Sequence, residues 1–369
     1  MRTKLLLIVA FGLGGACGDN SSTGPFDANY SGWTLEELTN DQGFSFRIPP
    51  FEVDAGKEVQ NCYFVKVPDI NNGAPVWIDH FKMAQNPGSH HLNIFRVKTI
   101  INLGPDIAGA TATDLGHGAV SYPATVIQGA EEYATNPCWL SANWADWPLV
   151  ANDQDATVNN PYYDWQLPQD VATKLMPGEL LMVQSHYVNS SDQMTIGGAQ
   201  IGINFYSHNP QTTPVELGTL FATQQHIRVC QSTPDVSYSG TCKLPGAVTV
   251  TAANGHFHKR GKEFDIFTWD GASTVTPPES AMFYHDTNWN EPPMATNLNA
   301  SSVDGGGVFW TCSYHWSPPQ YSTCDEVNAK DTLHQNDCCY TFGGDTDIGE
   351  HCNVFVYYYP NNGGDVFCN

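Results

Sequence analysis

Short strand-type runs separated by turn residues limit most strongly what this chain can fold into. From Phe44 onward, runs such as residues 63–67 and 247–251 are rich in the β-branched and aromatic residues that strands favour. No segment has a convincing amphipathic helical period, and 33 Gly, 24 Pro and a charged content of 14% are typical of many strands joined by turns. The sequence therefore predicts an all-β chain of two tandem antiparallel β-sandwich domains of jelly-roll-like form.

The length and charge of the chain bound its organisation and its partners. A length of 369 residues is sufficient for two domains, and segment 207–214 interrupts the strand pattern, so we place the domains at residues 41–206 and 207–369. With 15 Lys and Arg against 38 Asp and Glu, the formal net charge is −23. That charge argues against a nucleic-acid partner and against electrostatic attraction to anionic lipid.

The first 17 residues have the pattern of an export signal. Arg2 and Lys4 form a basic start, and the apolar run 5–11 is too short to span a bilayer. Residues 14–17 (Gly-Gly-Ala-Cys) resemble a bacterial lipoprotein cleavage box, which would make Cys17 the lipidated first residue of the mature protein. The polar segment 18–40 would then be a flexible tether. The alternative is ordinary secretion, with Cys17 removed or paired.

Cysteine usage agrees with export. Eleven Cys less Cys17 leave ten, so up to five disulfides can form in an oxidising compartment. No CxxC pair occurs, which argues against a cysteine-rich zinc module.

Histidines at ligand spacing are the main functional signal. His256 and His258 lie on a predicted strand, where residues i and i+2 share a face, so their imidazoles can chelate one metal ion. The alternative is a pair of unrelated strand histidines. His90 and His91 are adjacent, so a regular strand would direct them to opposite faces unless residues 86–88 (Asn-Pro-Gly) bend the chain.

The other histidines have no partner at ligand spacing and are interpreted as structural, with His80 as the one candidate for a supporting role. They are His80, His117, His208, His226, His285, His315 and His334.

Four motifs in order carry a resemblance to a known family. They are Ile-Asp-His-Phe-Lys followed by His-His-Leu-Asn-Ile-Phe (78–82 and 90–95), Gln-Ser-His-Tyr (184–187), His-Phe-His-Lys-Arg-Gly-Lys (256–262) and Cys-Asn with three tyrosines (352–353 and 357–359). Over roughly residues 45–369 the chain resembles the copper type II, ascorbate-dependent monooxygenases, the family of peptidylglycine hydroxylating and dopamine β-monooxygenases.

The resemblance implies two coppers per chain, one in each domain. The first would bind to His90, His91 and His186 and transfer electrons. The second, catalytic copper would bind to His256, His258 and His351 and take up O2 beside a small organic substrate, with an external one-electron reductant such as ascorbate. The resemblance further assigns supporting roles to Gln184 and Tyr187, a substrate-facing position to Asn254, Asn353 and Phe355, and disulfides to Cys62–Cys138, Cys312–Cys352 and Cys242–Cys368.

Two departures from the family pattern bear on the chemistry. His351 stands where the family has Met, and a third imidazole is a harder donor than a thioether, better suited to Cu(II) or Zn(II). Asn254 stands where the peptide-hydroxylating branch has an Arg that pairs with a carboxylate, so a C-terminal glycine peptide is a poor substrate. Phe355 replaces a Tyr and makes that side of the pocket more apolar.

The sequence thus favours a membrane-anchored copper monooxygenase, facing the periplasm or the cell exterior and touching the membrane only through its lipid. Two other functions stay open: a non-enzymatic copper-binding lipoprotein on the same fold, and a three-histidine zinc site with hydrolytic activity.

Lipidation of Cys17 can be tested by substitution. Cys17→Ser should release the mature chain from the membrane fraction or leave an unprocessed precursor, because the thiol is the attachment point. Immunoblots of fractionated cells measure both outcomes. Equal membrane association of both forms, with normal cleavage, would contradict the lipid anchor.

Overall fold

The computed structural model describes residues 33–97, 113–116, 119–121, 147–154, 160–191, 195–208, 212–331, 333 and 337–369. These residues are nearly all β, as predicted, with one short helix α1 (Cys324–Ala329) and one 3-10 turn (Glu279–Ala281) among them. No helix in this part of the chain is both long and apolar enough to cross a bilayer. The signal, Cys17 and most of the predicted tether lie outside the described residues.

Two six-stranded sheets form the N-terminal half. One has the order β1-β11-β3-β9-β12, with β8 also paired to β3, and the other has the order β5-β6-β2-β10-β4-β7. All of these strand pairs are antiparallel except β9 with β12. The strands are β1 (Gly43–Val53), β2 (Glu58–Lys66), β3 (Val76–Gln85), β4 (Ser89–Arg96), β5 (Thr113–Gly116), β6 (Ala119–Ser121), β7 (Leu149–Asp153), β8 (Tyr162–Gln166), β9 (Val171–Leu175), β10 (Leu180–Val188), β11 (Ile196–Ser207) and β12 (Val215–Glu216).

Three smaller sheets form the C-terminal half. Their orders are β19-β16-β23-β13-β24, β15-β20-β17-β18 and β14-β21-β22. The strands are β13 (Gly218–Thr223), β14 (Arg228–Cys230), β15 (Asp235–Lys243), β16 (Val248–His256), β17 (Gly261–Trp269), β18 (Met282–Asp286), β19 (Ala295–Ser302), β20 (Gly307–His315), β21 (Cys339–Phe342), β22 (Gly349–Glu350), β23 (Asn353–Tyr359) and β24 (Val366–Cys368).

The apolar core does not stop at the predicted boundary near residue 207. One buried cluster fills the N-terminal half and continues into Phe221, Phe355 and Tyr357 of the C-terminal half. The rings of Trp165 and Tyr357 lie 4.6 Å apart across this contact. A second cluster around Trp310 belongs to the C-terminal sheets. Apolar packing therefore joins the two halves.

A polar seam along β7 also joins the halves. The Asn152 amide donates to Oδ1 of Asn254 at 3.2 Å, and the Tyr357 hydroxyl donates to Oδ1 of Asn152 at 2.6 Å. The Thr219 hydroxyl donates to the carbonyl of Leu149 at 2.8 Å. Since β7 pairs with β4, these bonds bring the histidine end of β4 against the end of β16.

Four disulfides lie among the described residues. They are Cys230–Cys339, Cys242–Cys368, Cys312–Cys352 and Cys324–Cys338. The second and third are pairs that the family resemblance implied. Cys62 is also disulfide-bonded, and its predicted partner Cys138 lies outside the described residues. Because Cys352 follows His351, its bond to β20 restrains the segment that carries that histidine.

Gly261, inside the motif at residues 256–262, is required by close packing. A Cβ built there would lie 1.6 Å from Cδ2 of Phe257, a fully buried ring stacked on Phe264 at 5.8 Å. Gly261→Ala should therefore lower the free energy of unfolding by about 1–3 kcal/mol, the usual cost of overpacking. Urea unfolding measures it, with Gly197→Ala as the control because nothing lies within 4 Å of that position. Equal stability of the two variants would contradict the packing around Phe257.

Candidate metal centre

A β-bulge brings His90 and His91 to the same side of strand β4. His91 lies opposite His186 of β10, but Tyr187 lies opposite Ser89, which leaves His90 as an extra residue in the ladder. A bulge re-aims side chains that a regular strand would alternate. The two rings lie 5.5 Å apart, and the ring of His186 lies 5.1 Å from His90 and 5.0 Å from His91. The sequence placed the bend at residues 86–88, and the bulge lies two residues further on, at His90.

The second predicted set also comes together. His256 ends β16, and its ring lies 5.2 Å from that of His258. His351 directly follows β22, and its ring lies 5.3 Å from His256 and 4.2 Å from His258. The imidazole at the family's Met position thus lies beside the other two.

The structure differs from the sequence prediction in joining the two sets. The ring of His256 lies 4.9 Å from His90 and 5.1 Å from His91, so both sets form one cluster rather than a separate site in each half. The seam along β7 explains this, because it draws the ends of β4 and β16 together. We call this group the imidazole cluster: His90, His91, His186, His256, His258 and His351.

Three ring nitrogens in the cluster converge most closely, and they come from both sets. Ligand atoms of His90, His256 and His258 all lie within 4.8 Å of one another. His90, rather than the predicted His351, completes this group. A metal ion held there would be bound by both halves of the chain.

Burial favours the neutral form of His90, His91, His256, His258 and His351. Every member is less than one-tenth exposed. Burial, reinforced by repulsion from His186, lowers the pKa of His90 and of His351 to about 3. Burial also places the pKa of His91, His256 and His258 well below the usual value for histidine. A neutral imidazole keeps a lone pair on one nitrogen, which is the form that binds metals.

Hydrogen bonds identify the nitrogen that His256 and His258 present. Nδ1 of His256 lies 3.1 Å from Oε1 of Gln154, and Nδ1 of His258 lies 3.2 Å from the carbonyl of Gly349. Both partners are oxygen acceptors, so each Nδ1 carries the proton and donates. Each Nε2 is buried and has no hydrogen-bond partner among the described residues. These two orphaned nitrogens fit a metal ion that accepts imidazole ligands, such as copper or zinc.

Of the two predicted supporting residues, Gln184 reaches the cluster. Its Oε1 accepts from the amide of Asn93 at 2.9 Å, and that amide also lies 3.3 Å from Nδ1 of His91. Tyr187 instead donates to the carbonyl of Gln200 at 3.2 Å, on the other face of β10 from His186. Asn93 was inside the His-His motif but was not identified from the sequence.

Glu350 is a buried group that sequence reasoning missed. Its carboxylate accepts from the backbone N–H of His258 at 3.1 Å and of Arg260 at 2.9 Å, which fixes the turn carrying His258. Burial raises the pKa of Glu350 to about 8. The buried Arg260 guanidinium donates to the carbonyl of Thr346 at 2.8 Å. Adjacency of Glu350 to His351 was the available signal in the sequence.

The predicted substrate-facing residues lie in the seam beside His256. Asn254 is opposite Phe355, and His256 is opposite Asn353, in the pairing of β16 with β23. All three side chains are buried, and Phe355 stacks on Phe221 with ring centroids 5.0 Å apart.

His80 does not support the cluster. Its Nε2 lies 2.6 Å from Oδ1 of Asp164, and its ring stacks on Tyr206. Its strand β3 belongs to a different sheet from β4 and β10. His208, His285 and His315 each lie against an aspartate, at 2.9, 2.7 and 2.9 Å. His117 and His334 lie outside the described residues.

Comparisons with known proteins add no family assignment. No protein-family model and no curated protein matches the chain. Among solved structures, the infectious bursal disease virus VP2 subviral particle aligns over 90% of this chain and 76% of its own, with 8% identity and a TM-score of 0.17. At that TM-score the alignment carries no argument about fold or function.

Neutral burial of the cluster predicts acid sensitivity in the metal-free protein. The pKa of His90 and of His351 in the folded chain lies far below the unfolded value of 6.5. Below about pH 6.5 the unfolded chain therefore binds protons that the folded chain does not, and the free energy of unfolding falls as the pH falls toward 3. Each such group lowers the free energy of unfolding by about 1.4 kcal/mol per pH unit in that window.

Urea unfolding across that pH range measures the effect. A His90→Phe, His351→Phe double variant should show a flatter dependence, and the half-exposed His315→Ala should keep the original one. A free energy of unfolding that does not change between about pH 6.5 and about pH 4 would contradict neutral burial.

Proposed function

We propose that this chain is a copper-dependent monooxygenase that hydroxylates a C–H bond of a small organic substrate with O2 and an external one-electron reductant such as ascorbate. The observation that supports this most is the imidazole cluster, in which buried rings from both family-like sets converge. The reaction class is inferred from the family that the ordered sequence motifs resemble, and the cluster contains the residues that would bind the metal.

The donor set favours copper. Imidazole suits copper, and copper heads the affinity series of divalent first-row metals, so an exported protein can hold it without thiolate ligands. Six imidazoles are enough ligands for two ions, and the family resemblance divides them into His90, His91 and His186 for one ion and His256, His258 and His351 for the other. When bound, copper supplies the one-electron redox chemistry that O2 reduction needs.

The residues of this chain have defined tasks in that proposal. The bulge at His90 orients two ligands from adjacent positions, and Gln154 and the Gly349 carbonyl hold His256 and His258 with Nε2 toward the metal. Burial of the cluster excludes water, which protects reactive oxygen chemistry from side reactions. Asn254, Asn353 and Phe355 would border the substrate beside His256.

The finer architecture and location belong to the same proposal. The halves would be two tandem β-sandwich domains, 41–206 and 207–369, exported and anchored through lipid on Cys17. Disulfides support an oxidising compartment, since such bonds form and persist there.

A second candidate is a single zinc ion with hydrolytic activity. The observation in its favour is the converging group His90, His256 and His258, because three imidazoles with an open fourth position are typical of catalytic zinc. The third candidate, a copper-binding protein without catalysis, uses the same ligands.

Metal analysis with oxygen uptake separates these functions. The purified full chain, equilibrated with Cu(II) and Zn(II) in competition, should retain two coppers and consume O2 with ascorbate, faster in the presence of an oxidisable substrate from a panel of small organic compounds. His256→Ala should abolish uptake, and the exposed His226→Ala should leave it unchanged. Copper without uptake would support the binding protein, and one zinc would support the hydrolase; either result contradicts the monooxygenase.

A further inference from the structure

Glu58 makes a contact with the cluster that the sequence motifs do not include. It begins strand β2, two residues before Gln60, which is paired with His186 of β10. Its Oε2 lies 3.0 Å from Nε2 of His186. The His186 side chain is 2% exposed and the Glu58 side chain 19% exposed, so the bond is largely screened from water.

The chemistry of this bond fixes the tautomer of His186. Both carboxylate oxygens of Glu58 act as acceptors, because the backbone N–H of Thr346 donates to Oε2 at 3.1 Å and the Thr346 hydroxyl donates to Oε1. An ionised carboxylate only accepts hydrogen bonds, so Nε2 of His186 must carry the proton and donate. Nδ1 is then the nitrogen of His186 with the lone pair.

The same carboxylate also binds the segment that leads to His351. The backbone N–H of Thr346 donates to Oε2 of Glu58 at 3.1 Å, and the Thr346 hydroxyl donates to Oε1. Thr346 is buried, and its carbonyl accepts from the guanidinium of Arg260, next to the turn of His258. Glu58 thus joins His186 of the N-terminal half to the segment that positions His258 and His351.

We propose that Glu58 is a positioning residue of the metal centre: it holds His186 with Nδ1 as the metal-binding nitrogen and ties that ligand to the segment at Thr346. The inference deepens the proposed copper function and rests on it for the identity of the metal. Carboxylate or carbonyl partners on the far nitrogen of a metal-binding imidazole orient the ring and raise its basicity. Loss of such a partner typically lowers metal affinity about 10- to 100-fold.

The first test needs no metal. Imidazole ¹⁵N NMR of the metal-free wild-type chain, assigned with His186→Ala, should show His186 with the proton on Nε2, and Glu58→Gln should shift that signal. The control Glu179→Gln should not shift it, because Glu179 pairs with Arg96 at 2.6 Å elsewhere in the half and is similarly shielded, at 13% exposed. A proton on Nδ1 of His186 in the wild type would overturn the proposal.

The second test uses Cu(II) alone, followed by equilibrium dialysis and electron paramagnetic resonance. Glu58→Gln should lower the affinity for one of the two copper ions about 10- to 100-fold and change the spectrum of that ion, whereas Glu179→Gln should do neither. When His186 is already replaced by Ala, Glu58→Gln should lower the affinity for that copper ion no further, since Glu58 acts through His186. Thr346→Val should produce a smaller loss of the same kind.

The outcomes separate the two proposals. Unchanged copper affinity in Glu58→Gln, or an equal loss with and without His186, would overturn the role of Glu58. A wild-type chain that binds no copper would overturn the proposed function, and the metal-free NMR result would still decide how Glu58 holds His186.

Discussion

Six imidazole rings packed together inside a protein cannot all carry charge, because adjacent imidazolium ions in a low-dielectric interior repel one another and are costly to desolvate. The rest of this structure maintains that condition. The β7 seam closes one side of the cluster, Glu350 fixes the turn of His258, and the Cys312–Cys352 disulfide restrains His351. Neutral rings satisfy electrostatics but leave buried nitrogens without hydrogen bonds, as at Nε2 of His256 and His258.

Those orphaned nitrogens link the fold to the proposed chemistry. A buried polar atom without a partner costs free energy, and a bound metal would convert that cost into ligand bonds. Because His90 belongs to one half and His256 to the other, an ion bound to both would couple metal binding to the packing of the halves. Glu58 extends this coupling, since one carboxylate contacts both His186 and Thr346.

The sequence was informative where signals are local. Strand periodicity and turn residues predicted the all-β class. Spacing selected His256 and His258, and the family resemblance implied the other four cluster histidines. The contact between His90 and His256 was not predictable in this way, since the two residues are 166 positions apart and meet only through the packing of β4, β7 and β16. Gln154 and Glu58 were missed for the same reason: each is distant in sequence from the histidine that it contacts. The bulge at His90 depends on a cross-strand register that no local pattern specifies.

Anomalous diffraction at the copper edge, from crystals of the copper-loaded full chain, tests the central claim most directly. We expect copper peaks at about 2.0–2.1 Å from imidazole nitrogens of the cluster, with ligands that include both His90 and His256. An empty cluster, with copper instead at the group formed by Glu263, Asp265 and His285, would contradict this expectation.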